Sequence, residues 1–184
     1  MTKKYSSITM GIILLAFMAC NNPNAPTISL RKKVIDSSFV TNLKTSNLKE
    51  IKSIDSFKID DEGDQIYTVV KPRMKFWEYR EEIINDNLRV KTILSTEPKD
   101  MALDGSLNLV FLGLYDKNNH LTDLLRVGKY AMFSDTDELE TSSIDGNQIE
   151  KRKRSREISD EGLALTKNIT ERYQITTDGK FKKL

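Results

Sequence analysis

The chain has a single cysteine and a single histidine among its 184 residues. One cysteine excludes an internal disulfide and any zinc site built from several thiolates, and one imidazole leaves little for histidine-based catalysis. Only four prolines and eight glycines occur, and 38% of the residues are hydrophobic, which together exclude a disordered chain. We therefore expect one ordinary globular domain with no catalytic residue, no metal and no cofactor.

An excess of charge of one sign is also lacking. The chain has 29 basic and 27 acidic side chains, and two of the basic ones, Lys3 and Lys4, lie in an N-terminal segment without acids. The rest of the chain is electrically balanced, so it offers no global attraction to a polyanion. We expect no nucleic-acid partner.

Residues 1–19 have the three parts of a secretory signal. Positive charge at Lys3 and Lys4 is followed by an apolar stretch from about Ile8 to Met18 and then by the small residue Ala19. At 1.5 Å per residue the apolar stretch spans roughly 17 Å, whereas a bilayer core is about 30 Å thick. The segment is therefore predicted to be a cleaved signal peptide.

The junction Leu15-Ala16-Phe17-Met18-Ala19-Cys20 resembles the lipobox of bacterial lipoproteins, in a loose form because of Phe17 and Met18. In that family the cysteine receives a diacylglycerol on sulfur and an acyl chain on its new amino end. The resemblance implies cleavage between Ala19 and Cys20, lipidation of Cys20, and the bilayer as a partner. It also implies an exported, membrane-anchored protein facing the periplasm, since no acidic cluster follows the cysteine. In its general sequence character, the chain resembles small lipoproteins of Bacteroidota-type bacteria. An unlipidated secreted protein is the alternative.

Beyond the cysteine, the sequence predicts a lipidated N-terminus and flexible tether over residues 20–33, and a single β-rich domain over residues 34–184. Residues 163–175 alternate between apolar and polar, as expected of a strand with one wet face, with Lys167 and Glu171 on the apolar side indicating a rim or a bulge. Residues 107–115 are apolar on both faces, which is typical of a covered central strand.

Turn signals join neighbouring segments throughout the chain. They occur at residues 61–64, 116–120, 145–147 and 178–179, the last two containing Asp-Gly, which favours tight hairpins because the central residues tolerate positive φ. We therefore predict a mainly β fold (β-rich α+β), an antiparallel meander sheet or partly open barrel, preceded by one or two helices. The helices are predicted within 34–54, where Asn47 and Glu50 resemble a capping box, and over 76–88, where apolar residues share one helical face.

Few residues have the pattern of a catalytic or metal site. His120 lies in a predicted turn, where solvated histidine is common. Residues 135–138 resemble the start of a calcium loop but lack its glycine and its terminal glutamate. Phe76, Trp77 and Tyr79 are either core residues or a ligand platform.

The strongest local charge is the run Lys151, Arg152, Lys153, Arg154, Ser155, Arg156. Such runs bind phosphates or anionic head groups, so these five cations form a candidate anionic-ligand patch. As a strand, the run directs Lys151 and Lys153 to one face and its arginines to the other. An exposed edge strand protected by charge against aggregation is the alternative interpretation.

The sequence thus predicts a membrane-anchored envelope lipoprotein whose domain binds or has a structural role without catalysis. Two other functions stay open. A barrel-type carrier of an apolar ligand would need a cavity lined by residues 107–115. A carboxylate-dependent hydrolase would need two buried or pKa-shifted acids facing one cleft.

Overall fold

A computed structural model describes residues 28–51, 75–96, 106–132, 136–159 and 162–184. These residues form ten strands and one short helix. In chain order they are β1 (Leu30–Ile35), α1 (Ser37–Thr41), β2 (Lys49–Glu50), β3 (Lys75–Asn85), β4 (Leu88–Thr96), β5 (Ser106–Asp116), β6 (Leu121–Met132), β7 (Thr136–Gly146), β8 (Gln148–Ser159), β9 (Gly162–Ile175) and β10 (Phe181–Lys183). The first strand begins at Leu30, inside the segment 20–33 that the sequence assigns to the tether.

The strands form one antiparallel sheet in the order of the chain. From β2 to β10, each strand pairs with its successor, and β2 and β10 end the order of the described strands without pairing with each other. The fold is therefore mainly β, an antiparallel meander that does not close, with one short helix near its start. This confirms the fold class predicted from the turns.

Along its edge opposite β8, strand β7 divides its pairing between two neighbours. Its first half pairs with the end of β6, from Lys129 opposite Glu140 to Met132 opposite Asp137. Its second half pairs instead with β1, from Ile35 opposite Ser142 to Leu30 opposite Gly146. Here β1 replaces β6 as the partner of β7, and α1 contacts β5, β6 and β7.

Strand β5 contributes to two apolar clusters, one on each of its faces. Val110, Leu112 and Leu114 belong to the larger cluster, which also includes residues of β1, α1 and β6 to β9. Leu109 and Phe111 belong to a smaller cluster with residues of β3, β4 and β6. The covered, two-sided strand predicted over residues 107–115 is confirmed.

Packing beside β5 is close on both faces. A methyl group added at Gly128 would lie 3.0 Å from side-chain atoms of Ile35 and Val40, and one added at Gly113 would lie 2.8 Å from the ring of Tyr115. Contacts this short leave no room for a methyl group without displacing a neighbour. Glycine at these two positions lets the neighbouring side chains pack directly against the sheet.

Three predicted turns are confirmed, and residues 61–64 lie outside the described part. At residues 116–120, the Asp116 carboxylate accepts hydrogen bonds from the backbone of Asn118 and His120. The β7–β8 loop consists of Gly146 and Asn147, of which only Gly146 has a positive φ, 59°. A glycine at the first loop position indicates a type II′ turn, so one central residue rather than both uses positive φ.

Strand β9 contains a bulge, as predicted, and residues 169–175 beyond it largely show the predicted alternation. Its pairing with β8 shifts between Ser155 opposite Lys167 and Arg156 opposite Leu165. The extra residue reverses the phase of the strand. The bulge precedes Lys167, so Lys167, Glu171 and Ile175 share one face, along which Lys167 is exposed, Glu171 is partly buried and Ile175 is buried.

The two helix predictions need correction. Residues 76–88, predicted to be a helix, belong to β3, the Asp86–Asn87 turn and the first residue of β4. Of residues 34–54, only Ser37–Thr41 are helical among those described, with Asp36 as the N-cap. The capping box is wrong, because Asn47 has a positive φ of 69° and Glu50 belongs to β2. Antiparallel pairing of β3 with β4 overrides the helical spacing, since strand and helix propensities are weak compared with tertiary pairing.

Candidate functional site

The lipidation site predicted from the sequence, Cys20, and its neighbour Ala19 lie outside the described residues. Their roles stay predictions. Within the described domain, the candidate site is the basic run of residues 151–156, because it combines the highest local charge with both buried and exposed positions.

The basic run lies in the middle of β8, a strand flanked by β7 and β9. The interpretation as an edge strand is therefore wrong, because β8 pairs along nearly its whole length on both sides. The alternation of the run is as predicted. Lys151 is only 4% exposed, whereas the Arg152 side chain is 71% exposed.

A group of charged residues lies on the sheltered side of β8 and nearby strands, and we call it the inner cluster. Its members are Arg126, Glu140, Lys151, Lys153, Glu171 and Lys183. Three lysines converge on the Glu171 carboxylate, with Nζ–O distances of 3.2 Å from Lys151, 3.0 Å from Lys153 and 2.7 Å from Lys183. The hydroxyl of Tyr173 donates a further hydrogen bond to Glu171, and Lys151 lies 5.1 Å from the centre of that ring.

The second carboxylate of the inner cluster belongs to Glu140. Arg126 donates two hydrogen bonds to it, of 3.1 and 2.8 Å, in a fork-to-carboxylate geometry. Such bidentate pairs are among the stronger charge-assisted hydrogen bonds. The Glu140 side chain is 6% exposed, so this pair is largely shielded from solvent.

Both carboxyl groups of the inner cluster are held in the ionised form. Burial opposes ionisation of Glu140, but the adjacent Arg126 and the nearby Lys151 and Lys153 outweigh it and place its pKa below the ordinary value. For Glu171, burial is likewise outweighed by hydrogen bonds from Lys183 and Lys153 and by the charge of Lys151, so its pKa is also lowered. Burial dominates for Lys151, whose pKa is lowered despite both carboxylates.

The opposite side of the same strands is exposed, and we call it the outer face. It consists of Glu150, Arg152 and Arg154 of β8, Arg172 of β9 and Lys182 of β10, all on the side away from the buried Ile149 and Ile175. Glu150 accepts from Arg152 at 2.9 Å and from Arg172 at 3.3 Å, which lowers the pKa of Glu150.

Arg156, the last cation of the run, forms an ion pair with Asp137 of β7. Four of the five cations in the run therefore have a carboxylate partner from the same or a neighbouring strand. The fifth, Arg154, is exposed. Anion binding by this patch stays a prediction, and most of its charge is balanced locally.

Other candidates from the sequence are accounted for by local contacts. His120 is in the predicted turn, its side chain 77% exposed and its Nδ1 3.4 Å from the Asp116 carboxylate. Of the calcium-like segment, Asp135 lies outside the described residues, Asp137 pairs with Arg156, and Glu138 pairs with Lys129. The described residues contain no group of three or more histidines, cysteines or acids arranged for a metal.

The aromatic residues of β3 do not all lie on one face of the strand. Phe76 is buried, with its ring centre 6.2 Å from that of Phe111. Tyr79 is 48% exposed and contacts Phe39 edge to face at 5.4 Å, while Trp77 is half-buried. The interpretation as core fits Phe76. Successive strand residues point to opposite faces, so Phe76 does not share a surface with the adjacent Trp77.

Two open grooves occur among the described residues. One, of about 340 Å³, is lined by Val34, Asp36, Ser37, Thr141, Ser142, Ser143, Glu150 and Arg152. The other, of about 310 Å³, lies where the turns at residues 85–88 and 177–179 approach Asp116 and Thr122. Neither is lined by residues 107–115, so neither supports the carrier alternative.

The pKa directions bear on the hydrolase alternative. A general acid in glycoside cleavage needs a raised pKa so that it keeps its proton at neutral pH. The carboxyl groups with clearly lowered pKa values include Glu82, Glu140, Glu150 and Glu171, and no described carboxyl has a clearly raised one. These groups are arranged as ion-pair partners rather than proton donors.

The sequence predicted the cations of this region but not their carboxylate partners. Glu140 and Glu171 come from the strands on either side of β8, and cross-strand register is not readable from one chain. The position of Glu171 on the apolar side of the alternating segment was the one signal of a buried charge.

No helix in the described ranges is long and apolar enough to cross a membrane. Comparisons of this chain with protein-family models, with curated proteins and with solved structures find no match.

Proposed function

We propose that this chain is an exported bacterial lipoprotein, anchored by acyl chains on Cys20, whose β domain acts by binding or structural contact and not by catalysis. The observation that carries the proposal is the position of the sole cysteine. It follows a basic and then apolar leader of signal-peptide length and comes directly after the small residue Ala19.

The physical consequence of acylation is a lasting attachment. One acyl chain holds a protein to a bilayer only marginally, but each buried methylene adds about 0.8 kcal/mol, so two or three chains bind almost permanently. The domain would be held by lipid, with no further membrane-spanning element required.

The chemistry of the described domain supports binding over catalysis. Its buried Glu140 and partly buried Glu171 are ionised and engaged by arginine and lysine. Its one histidine is exposed in a turn and faces Asp116. The charged groups of β8 are therefore arranged as ion pairs and exposed cations, which suit contact with an anionic partner.

The anchor is tested by metabolic labelling with a fatty acid in the native host, comparing wild type with Cys20→Ala. We expect label in the wild type and none in the variant, because thioether and amide attachment both depend on that residue. Ser7→Ala, a change inside the leader that leaves the cysteine in place, is the matched control and is expected to keep the label.

Mass spectrometry of the mature N-terminus gives the second measurement. An acylated cysteine at the first position supports the proposal. An unlabelled wild type, or a mature chain that starts with an unmodified residue, overturns it.

A further inference from the structure

The outer face carries more positive than negative charge at its centre. Arg152 and Arg172, with side chains 71% and 69% exposed, share the single carboxylate of Glu150. Arg154 and Lys182 are also exposed, and no carboxylate is found within ion-pair distance of either in the described part of the chain. Four cations therefore face solvent around one acid.

These cations form a compact array because of the strand register. Glu150 lies opposite Arg172, and Arg154 lies opposite the uncharged Asn168. Alternate residues of a strand are about 7 Å apart and neighbouring strands about 5 Å apart, so neighbouring cations of the array have Cα atoms roughly 7–9 Å apart. Arginine is suited to such contact because its planar fork binds phosphate oxygens in pairs.

The anchor and the outer face are within reach of each other. Seven residues lie between Cys20 and Ile28, where the described chain begins, and the eight steps from one to the other span at most about 28 Å when fully extended. The chain then enters the sheet with Leu30 opposite Gly146, at the β7–β8 turn. From that turn, Arg154 lies six to eight residues along β8, a distance of roughly 20–27 Å.

From this charge and this reach, we propose that the outer face lies against the anionic head groups of the bilayer that holds the acylated Cys20. The inference rests on the proposed lipid anchor, since the anchor supplies the proximity. A single basic side chain near an anionic surface raises the binding constant about fivefold, and anchoring removes most of the entropy cost of bringing the two surfaces together. Several cations in one array therefore favour a docked orientation of the domain over a freely swinging one.

The test measures the reactivity of individual arginines toward phenylglyoxal, located by mass spectrometry. The full chain purified from its native host is reconstituted into vesicles of phosphatidylcholine alone or of equal parts phosphatidylcholine and phosphatidylglycerol. We expect Arg152, Arg154 and Arg172 to be protected about tenfold on the anionic vesicles relative to the neutral ones, with the protection lost at high salt. Arg80, exposed on β3, and Arg89, partly exposed on β4, should react equally on both.

A variant series distinguishes docking from local structure. The triple variant R152Q/R154Q/R172Q should leave fatty-acid labelling intact but abolish the phosphatidylglycerol dependence of Lys182 reactivity toward an acylating reagent. The matched control K44Q/K49Q/K75Q removes the same number of positive charges, at exposed lysines elsewhere, and should leave that dependence unchanged.

The outcomes separate the two proposals. Labelled protein with equal arginine reactivity on both vesicles overturns the docking while the anchor stands. Unlabelled wild type overturns the anchor, and the docking falls with it. Protection by inorganic phosphate in the absence of vesicles, equal to that on anionic vesicles, identifies a soluble anion as the occupant and also overturns the docking.

Discussion

Strands β5 and β8 have equivalent places in the meander, each between two antiparallel neighbours, but opposite side chains. Strand β5 is apolar on both faces, and its Leu109, Val110, Leu112 and Leu114 have no exposed surface. Strand β8 is charged on both faces between residues 150 and 154, with Lys151 and Lys153 inward and the exposed Arg152 and Arg154 outward.

The difference shows that the position of a strand in the sheet does not decide whether the side chains on its two faces are apolar or charged. Backbone pairing is the same in both strands. What differs is the partner that each side chain finds. Apolar layers cover β5, whereas β7 and β9 supply Glu140 and Glu171 on the sheltered side of β8, as cross-strand pairs of opposite charge. A charged strand is tolerated in mid-sheet where its neighbours carry the counter-charge.

The largest effect is expected from truncation of β5. Leu112→Ala should lower the free energy of unfolding by about 2–5 kcal/mol, because it leaves a cavity in a layer that cannot collapse around it. Urea denaturation measures the loss. Ile83→Ala, at a side chain 71% exposed, is the control and should cost less than about 0.5 kcal/mol. Equal losses in the two variants would remove the contrast between a covered strand and an exposed position.

The next effect is expected from removal of the inner carboxylate of β9. Glu171→Gln leaves the buried Lys151 without its nearest counter-charge and should cost about 3 kcal/mol at neutral pH. Glu150→Gln, which removes the shared carboxylate of the outer face, is the matched control and should cost less than about 1 kcal/mol. A smaller loss for the inner change than for the outer one would contradict the assignment of faces.

Acid should weaken the inner cluster progressively. The folded pKa values of Glu140 and Glu171 lie below the ordinary value of 4.5, so their contribution to stability is complete above that pH. It is lost as the pH falls below 4.5 through the folded values, because protons then bind the unfolded state first. Denaturation curves at a series of acidic pH values should show this decline, with a flatter decline in Glu171→Gln than in the exposed control Glu157→Gln. Parallel declines in all three proteins would argue against the inner cluster as the source.

The smallest effect is expected on the outer face. Arg154→Gln should change the free energy of unfolding by less than about 0.5 kcal/mol, since exposed charges without close partners contribute little. Lys153→Gln, the neighbouring change on the sheltered side, should cost more because it removes a 3.0 Å contact with Glu171. Thermal unfolding compares the two, and a costlier Arg154→Gln would show that the arginine has a structural role.

Much of the sheet follows from the sequence because its signals are local. The alternation over residues 163–175, the two-sided apolar run at 107–115 and the turns at Asp116 and Gly146 each specify structure through neighbours in the chain. The error at residues 76–88 has a physical origin. Phe76, Ile83 and Ile84 are spaced to share a helical face, but in β3 Phe76 is buried while Ile83 is 71% exposed.

The candidate site follows from the sequence only in part. The alternation of lysines and arginines along 151–156 is a local property and was predicted. The convergence of three lysines on Glu171 depends on the registers of β8, β9 and β10, and the interior position of β8 depends on the whole meander. A single chain shows which residues carry charge but not which opposite charge each one meets.

The pairing of β1 with β7 has a consequence for the order in which this chain acquires its shape. Leu30 leaves the ribosome early, but its partner Gly146 is made only when most of the polypeptide already exists. Contacts between such distant residues form slowly, because the intervening segment loses entropy before the contact is gained. The layer that β1 completes therefore cannot form before β7 has been made. If the chain is exported as we propose, β1 emerges early from the translocation channel. It cannot pair until β7 has also emerged.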